Sequence, residues 1–350
     1  MFRWCEAWVG LGRAKSLTHL CSRGVDPGGC SHSPDVSCVV PEFRHKSVMT
    51  AEALAGLIPR ADGRYVDATL GGGGHAEAIL AASSPTGWLY GCDRDGAAVE
   101  AAGARLAAAG FAGRFEIRRG NYAGLLDWIP PASCDGVLFD LGVSSPQLDL
   151  PERGFSFQAD GPLDMRMDQR QPLTAADIVN DWSEAELTEL FFAEGEEPQG
   201  RRMARAIVRE RQDRRLETTG QLAALLERVA PRHGQKRHPA TRVFQALRMA
   251  VNDESRSLRS GLAAACTLLR GGGRLVVITF HSGEDRVVKE FGREQTRDYV
   301  FDGAVDVPAL RRPRAPILKW IERRAVQPGA EEVAANPRAR SAQLRVLEKL

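Results

Sequence analysis

The chain has no apolar run near the roughly 20 residues that cross a bilayer. Its longest runs, such as Leu275-Val276-Val277-Ile278-Thr279-Phe280, have the length of a strand, so a spanning helix is excluded. It has no C-x-x-C pair. The seven cysteines, Cys5, Cys21, Cys30, Cys38, Cys92, Cys134 and Cys266, are scattered and odd in number. Neither a zinc site nor a disulfide framework is expected from such spacing, and a reducing compartment is the simpler setting. It also has almost no net charge, with 47 basic against 45 acidic side chains and a balance of +2. Taken alone, that balance gives no sign of nucleic-acid binding. What is present is 43% hydrophobic and 26% charged content, with 13 Phe and 6 Trp, over 350 residues. This composition excludes a low-complexity chain and supplies ample core for one large domain or two ordinary ones.

Residues 1–40 read as a disordered leader or extension. The first 24 residues carry Arg3, Arg13, Lys15 and Arg23 against one acid, Glu6. An organellar transit peptide is the alternative, which would place the protein in mitochondria rather than the cytoplasm. Order is expected from about Pro41. Thr50 to Leu57 reads as a helix with Thr50 as its N-cap. Strand candidates follow at Arg64–Thr69, Gly87–Cys92, Phe115–Ile117 and Gly136–Phe139, alternating with helical stretches at His75–Ala82 and Asp95–Ala109. That alternation implies βαβ crossovers and a parallel sheet. Between about residues 148 and 252 only helical periodicity is found. The strand pattern resumes at Arg274–Phe280, after a helix at Ser257–Leu269 and a turn at Gly271-Gly272-Gly273. Ala342 to Leu347 alternates like an edge strand. The expected organisation is an α/β sheet domain over 41–147 and 253–350, interrupted by a helical insertion over 148–252.

The first strand ends in four glycines, Gly71 to Gly74, and a helix follows. Glycine lets backbone turn sharply and approach a ligand closely. Asp93, 19 residues after Gly74, closes the next strand, where an acid can accept ribose hydroxyls. The dinucleotide fingerprint G-x-G-x-x-G fails from Gly72, because its sixth position is Glu77, an anion near where a pyrophosphate would sit. S-adenosylmethionine carries a sulfonium cation and no phosphate. A glycine loop among Asp67, Glu77, Asp93 and Asp140 suits it better.

A set of longer motifs then appears in order. They are His45-Lys46-Ser47-Val48-Met49, Asp67-Ala68-Thr69-Leu70 with the four glycines and His75, and Asp140-Leu141-Gly142-Val143-Ser144-Ser145-Pro146-Gln147. Next come Glu152-Arg153-Gly154-Phe155-Ser156-Phe157 and Asp160-Gly161-Pro162-Leu163-Asp164-Met165-Arg166-Met167-Asp168. Last are Lys236-Arg237-His238-Pro239-Ala240-Thr241-Arg242, Thr279-Phe280-His281-Ser282 and Asn336-Pro337-Arg338-Ala339-Arg340-Ser341. From about residue 44 onward the chain strongly resembles the MraW (RsmH) family of bacterial small-subunit ribosomal RNA cytosine-N4 methyltransferases. The resemblance implies a Rossmann-like, seven-stranded S-adenosylmethionine-dependent sheet and methylation of N4 of one cytidine in the decoding region. It carries the family's donor contacts onto Gly73, Gly74, His75, Asp93, Tyr122, Asp140 and Gln147. It also makes 16S ribosomal RNA within the small ribosomal subunit the expected partner, with no metal and no membrane, and leaves a homodimer open. Gly283 stands where the family usually has leucine, and Pro198-Gln199-Gly200 interrupts a segment usually helical.

Cytosine N4 is a poor nucleophile because its lone pair is delocalised into the ring, so placement is most of the catalytic task. Asp140 and the Ser144-Ser145 loop backbone, beyond the carboxyl end of a strand, are the expected acceptors orienting N4. His281 is expected to support them from the end of the Leu275–Phe280 strand. Phe155 and Phe157 either stack on an extruded base or pack their loop onto the sheet. Split by segment, the near-zero charge separates. Residues 198–250 hold 13 Lys/Arg and 4 Asp/Glu, and residues 164–197 hold 2 and 10. Arg201, Arg202, Arg205 and Arg209 fall mostly on one helical face, able to track phosphates. Residues 311–350, with 10 basic and 4 acidic side chains, add a second basic segment.

Overall fold

Seven strands form one sheet in the computed structural model, which describes residues 47–231, 238–301 and 305–350. The leader, His45, Lys46, Lys236 and Arg237 lie outside the described residues. The strands are β1 (Arg64–Asp67), β2 (Trp88–Asp93), β3 (Phe115–Arg119), β4 (Cys134–Asp140), β5 (Leu269–Thr279), β6 (Leu318–Trp320) and β7 (Gln343–Lys349). Their spatial order is β3-β2-β1-β4-β5-β7-β6, with β3 through β5 parallel and β7 antiparallel to both its neighbours. The central strands β4 and, over Leu275–Thr279, β5 are buried on both faces, so they read as continuous apolar runs. Val66, Val137, Phe139 and Val277 face one core, while Tyr65, Leu138, Val276 and Ile278 face the other. Helices α1 (Thr50–Leu57), α2 (Gly74–Ala82) and α3 (Gly96–Ala108) contribute Leu57, Ile79 and Leu106 to the second core.

Three local expectations need correction. β7 is an interior strand, and the short β6 is the edge. A three-residue strand leaves too little pattern to be read, and a short edge is what a sheet tolerates exposed. The Gly271–Gly273 segment is a bulge inside β5 rather than a turn before it. Pairing with β4 jumps from Leu269 to Arg274, and Gly272 has φ +80°. Thr50 is the first helical residue, and the cap position falls to Met49 in the left-handed region at φ 53°.

Among the described residues of 148–252 there is no strand, only a bridge between Pro162 and Thr218. Helices α5 (Ala175–Asp181), α6 (Glu184–Ala193), α7 (Gly200–Asp213), α8 (Thr219–Val229) and α9 (Ala240–Val251) close around their own apolar cluster, which includes Ile178, Phe191, Ile207, Leu226 and Leu247. Capping boxes start α5, α6 and α8 at Thr174, Ser183 and Thr218. Pro198 lies in the turn between α6 and α7. Arg201, Arg202, Arg205 and Arg209 are exposed on α7, where Arg205 reaches Glu184 of α6 at 3.3 Å.

Asn252 ties the helical layer to the loop that leads into it. Its side chain is buried, donates to the carbonyls of Met165 (2.8 Å) and Arg248 (2.9 Å), and accepts from the Met167 amide (2.8 Å). N252A strands the Met165 carbonyl and the Met167 amide, while the Arg248 carbonyl keeps the Asn252 backbone N–H, so unfolding in urea should show a loss of about 2–4 kcal/mol. A loss under about 0.5 kcal/mol would show that this junction is not structural.

Candidate active site

The parallel strands end together, and three of them end in aspartate. Asp67 closes β1, Asp93 closes β2 and Asp140 closes β4, and β1 lies between the other two. Bringing three carboxylates to one edge in a low-dielectric setting requires each to be discharged or hydrogen-bonded. Asp93 accepts backbone N–H bonds from Gly71 (2.8 Å) and Asp95 (2.9 Å), yet burial still raises its pKa. Asp67 has no solvent exposure, and its Oδ2 has no hydrogen-bond partner among the described residues. Burial pushes its pKa up to about 6, against the pull of the His75 charge. Asp140 directs Oδ2 at His75 Nε2 across 3.3 Å, off the line a hydrogen bond prefers, and its buried Oδ1 has no hydrogen-bond partner among the described residues. Burial alone would lower the His75 pKa, but the Asp140 and Asp67 carboxylates outweigh it and raise it.

A cleft of about 300 Å³ opens above this edge. Of the residues expected to bind the donor, Asp93, Tyr122, Asp140 and Gln147 line it, as do Ser144 and Ser145; Gly73, Gly74, His75 and His281 do not. The loop glycines answer to packing instead. A Cβ on Gly73, which has φ +76°, would sit 3.0 Å from the Ala102 Cβ, and one on Gly74 would sit 2.2 Å from Ser47 Oγ. Gly71 is the glycine that reaches the cleft. His75 is buried behind Asp140 and acts on the cleft only through it.

The wall opposite the strands is helix α4 (Ser145–Asp149). Ser144 caps it, and Gln147 completes the capping box, with Oε1 accepting from the Ser144 amide at 3.0 Å and Nε2 donating to Asp95 at 3.2 Å. Asp95 is itself buried. It caps α3 through the Ala97 amide and takes a 2.7 Å ion pair from Arg153, whose other nitrogen donates to the carbonyls of Arg166 and Met167. Arg153 thus fixes the distance between α3, α4 and the loop into the helical layer. The carbonyls of Gly142 and Val143 in the loop after Asp140 accept no hydrogen bond among the described residues. Tyr122 stands edge-on to Phe139 with ring centres 5.4 Å apart, and the Arg94 guanidinium lies 5.7 Å from its ring centre.

Several cleft residues were not anticipated. Arg94 donates to Ser257 at 2.5 Å and to the Asn252 carbonyl. Arg248 makes a bidentate pair with Glu254 at 2.8 Å for both contacts and stands 3.8 Å from Glu284. Glu284 accepts from the Phe280 amide at 2.8 Å and sits 3.0 Å from His281 Nε2; burial would raise its pKa, but His281, then Arg248, hold it below the usual range. His281 is therefore a helix cap that reaches the cleft only through Glu284. Gly283 fits beneath it, since a Cβ there would lie 3.2 Å from the His281 ring. Phe155 and Phe157 neither stack in the cleft nor pack on the sheet. Phe155 joins the helical core, and Phe157 meets His238 and Phe244 at 4.7 and 4.8 Å. Among the described residues no group of three or more His, Cys, Asp or Glu is arranged to hold a metal ion.

The sheet order, the glycine loop and the acidic edge define a doubly wound α/β protein with a ligand cleft beyond the carboxyl ends of its strands. Residues 42–350 match the MraW methylase family, and the chain belongs to that family. It is 50% identical over 313 residues to the ribosomal RNA small subunit methyltransferase H of Thermomicrobium roseum, covering 87% of this chain and 94% of that one. It is 48% identical to the protein of the same name from Syntrophotalea carbinolica, over 88% of this chain and 98% of that one. The counterpart from Symbiobacterium thermophilum is 46% identical, over 88% and 97%.

The raised pKa of Asp67 has a stability consequence. The folded state holds this proton above the ordinary carboxylate range, so ionising it costs stability as pH climbs from about 4 to about 6, and the cost is constant above that. D67N removes the cost. Its stability relative to the parent should therefore rise by about 2–3 kcal/mol across that window and then level off. Urea denaturation from about pH 4 to about pH 8 checks this. A difference independent of pH would place the Asp67 pKa near its ordinary value.

Proposed function

We propose that the protein transfers the methyl group of S-adenosylmethionine to N4 of one cytidine in the decoding region of small-subunit (16S) ribosomal RNA. Membership of a methylase family and the names of relatives 46–50% identical to this chain support the methyl transfer and the small-subunit RNA. The cleft chemistry fits the donor. Its carboxylates favour a sulfonium, and each Asp93 oxygen that takes a backbone N–H keeps a second lone pair for a ribose hydroxyl. Tyr122 offers a ring to a base.

The observation that carries the N4 assignment is that Asp140 Oδ1 and the carbonyls of Gly142 and Val143, in the loop that follows it, have no hydrogen-bond partner among the described residues. Together they present acceptors, which is what an exocyclic amine with two N–H bonds requires. The donor supplies an electrophilic methyl group. Asp140 accepts an N4–H and drains density toward the nitrogen; as the C–N bond forms, the donor's C–S bond breaks, S-adenosylhomocysteine leaves with the electron pair, and Asp140 takes up the proton released from N4. His75, whose pKa the two carboxylates raise, stands 3.3 Å from Asp140 and steadies it in that orientation. Ser144 and Gln147 hold the α4 wall, so their side chains position rather than react.

The test is to incubate the protein with labelled donor and either naked ribosomal RNA or small subunits from a strain lacking the modification, and then digest the RNA to nucleosides. Label recovered as N4-methylcytidine from one or both substrates is expected. Label on neither would refute the function, and label on another nucleoside would refute the N4 assignment.

A further inference from the structure

A second cavity, of about 630 Å³, lies beside the cleft and shares Phe280 with it. Three elements run along both. On α9, Arg248 and Met249 face the cleft, while Thr241, Arg242 and Gln245, up to two turns earlier, face the second cavity. After β5, Glu284 in the first turn of the next helix faces the first, and His281, which caps that helix, the second. In the segment before β7, Asn336 and Arg338 face the first, while Arg340 and Ser341 face the second. The two cavities are therefore successive seats along one path, not unrelated depressions.

Their chemistry differs. The second is rich in donors: Arg242, Arg340, His281, Gln245, Gln327 and Ser341 all line it. Arg340 is exposed and makes no ion pair with a described residue, and Arg242 has only Glu197 at a loose 3.9 Å. The acid lining it, Glu196, is already engaged, accepting from Ser282 at 2.8 Å and pairing with Arg286. Two under-used guanidinium groups among neutral donors suit an anion with several acceptor oxygens. A basic seat next to a base-sized cleft is what a polynucleotide needs when one base is turned into the cleft and its neighbouring phosphate stays outside.

We propose that this second cavity binds the phosphodiester backbone of the RNA strand adjoining the target nucleotide, with Arg340 and Arg242 as the phosphate contacts. The proposal rests on the RNA reading above and adds a place on the protein to it. Neither arginine touches the reacting atoms, so both act by positioning.

Two measurements on the full chain test it. The first is filter retention of small-subunit ribosomal RNA over a range of salt, which needs no turnover. The second is steady-state methylation of unmodified small subunits. R340Q and R242Q should each bind RNA about five- to tenfold more weakly and reduce the slope of log affinity against log salt by about 0.7–0.9. KM for subunits should rise in parallel, with kcat and donor affinity unchanged. R293Q, the same charge loss at the end of α11 (Ser282–Gln295), should stay within about twofold. Unchanged donor affinity reports an intact fold, and R340Q is the cleaner variant because Arg340 makes no ion pair with a described residue. If an R242Q/R340Q double variant retained RNA with the parent's affinity and salt slope, the cavity assignment would be overturned whether or not the parent methylates subunits. If the parent retained RNA and the variants lost it, yet no substrate were methylated, the functional reading would fail and the phosphate seat would stand.

Discussion

The constraint on which the rest of this molecule depends is the meeting of three carboxylates at one edge of a parallel sheet. Asp67, Asp93 and Asp140 end neighbouring strands, and parallel strands deliver their ends to the same side. Each carboxylate is accommodated in a different way. Asp93 takes two backbone N–H bonds, Asp67 holds its proton up to about pH 6, and Asp140 faces a histidine whose own pKa its charge raises. The glycine loop follows from this arrangement, since Gly71 must turn its amide toward Asp93. The result is a cleft with negative charge at its floor and, at Asp140, one acceptor left unspent.

The helical layer holds that cleft to size. The buried Asp95–Arg153 pair joins the start of α3 to the loop carrying Arg166 and Met167, and Gln147 binds the same aspartate from α4. Removing one partner of such a pair leaves an uncompensated buried charge, so its value lies in fixed geometry more than in net stability. Across the cleft, Arg248, Glu254, Glu284 and His281 form a second charged chain that joins α9, α10 (Glu254–Leu268) and α11. Both chains contribute residues to the cleft lining and leave the strand edge as the place where a ligand meets unsatisfied chemistry.

Much of the sheet was legible in the sequence because β1, β2 and β4 are short runs closed by an aspartate and β5 carries the apolar stretch Leu275–Ile278. The bulge in β5 was hidden because three consecutive glycines look like a turn wherever they occur, and the edge was misplaced because Leu318–Trp320 is too short to show alternation. Site residues were legible where a motif ended a strand, as at Asp93 and Asp140. They were obscured where the reason for a residue type is packing. Gly73 and Gly74 are glycines because Ala102 and Ser47 crowd them. Arg248 sits in the helical pattern Val243-Phe244-Gln245-Ala246-Leu247-Arg248-Met249, where a single cation reads as a solvated face. Only the fold reveals that it turns inward to two glutamates.

The central claim is that the unspent Asp140 oxygen, rather than the cleft alone, drives transfer. A single-turnover experiment on D140N, with donor and RNA bound before mixing, tests it most directly. The amide keeps the shape of the side chain but loses the negative charge. With donor and RNA both saturating, methyl transfer should be slower by roughly 100-fold or more. A D140N enzyme that transfers methyl at the parent's rate would contradict it.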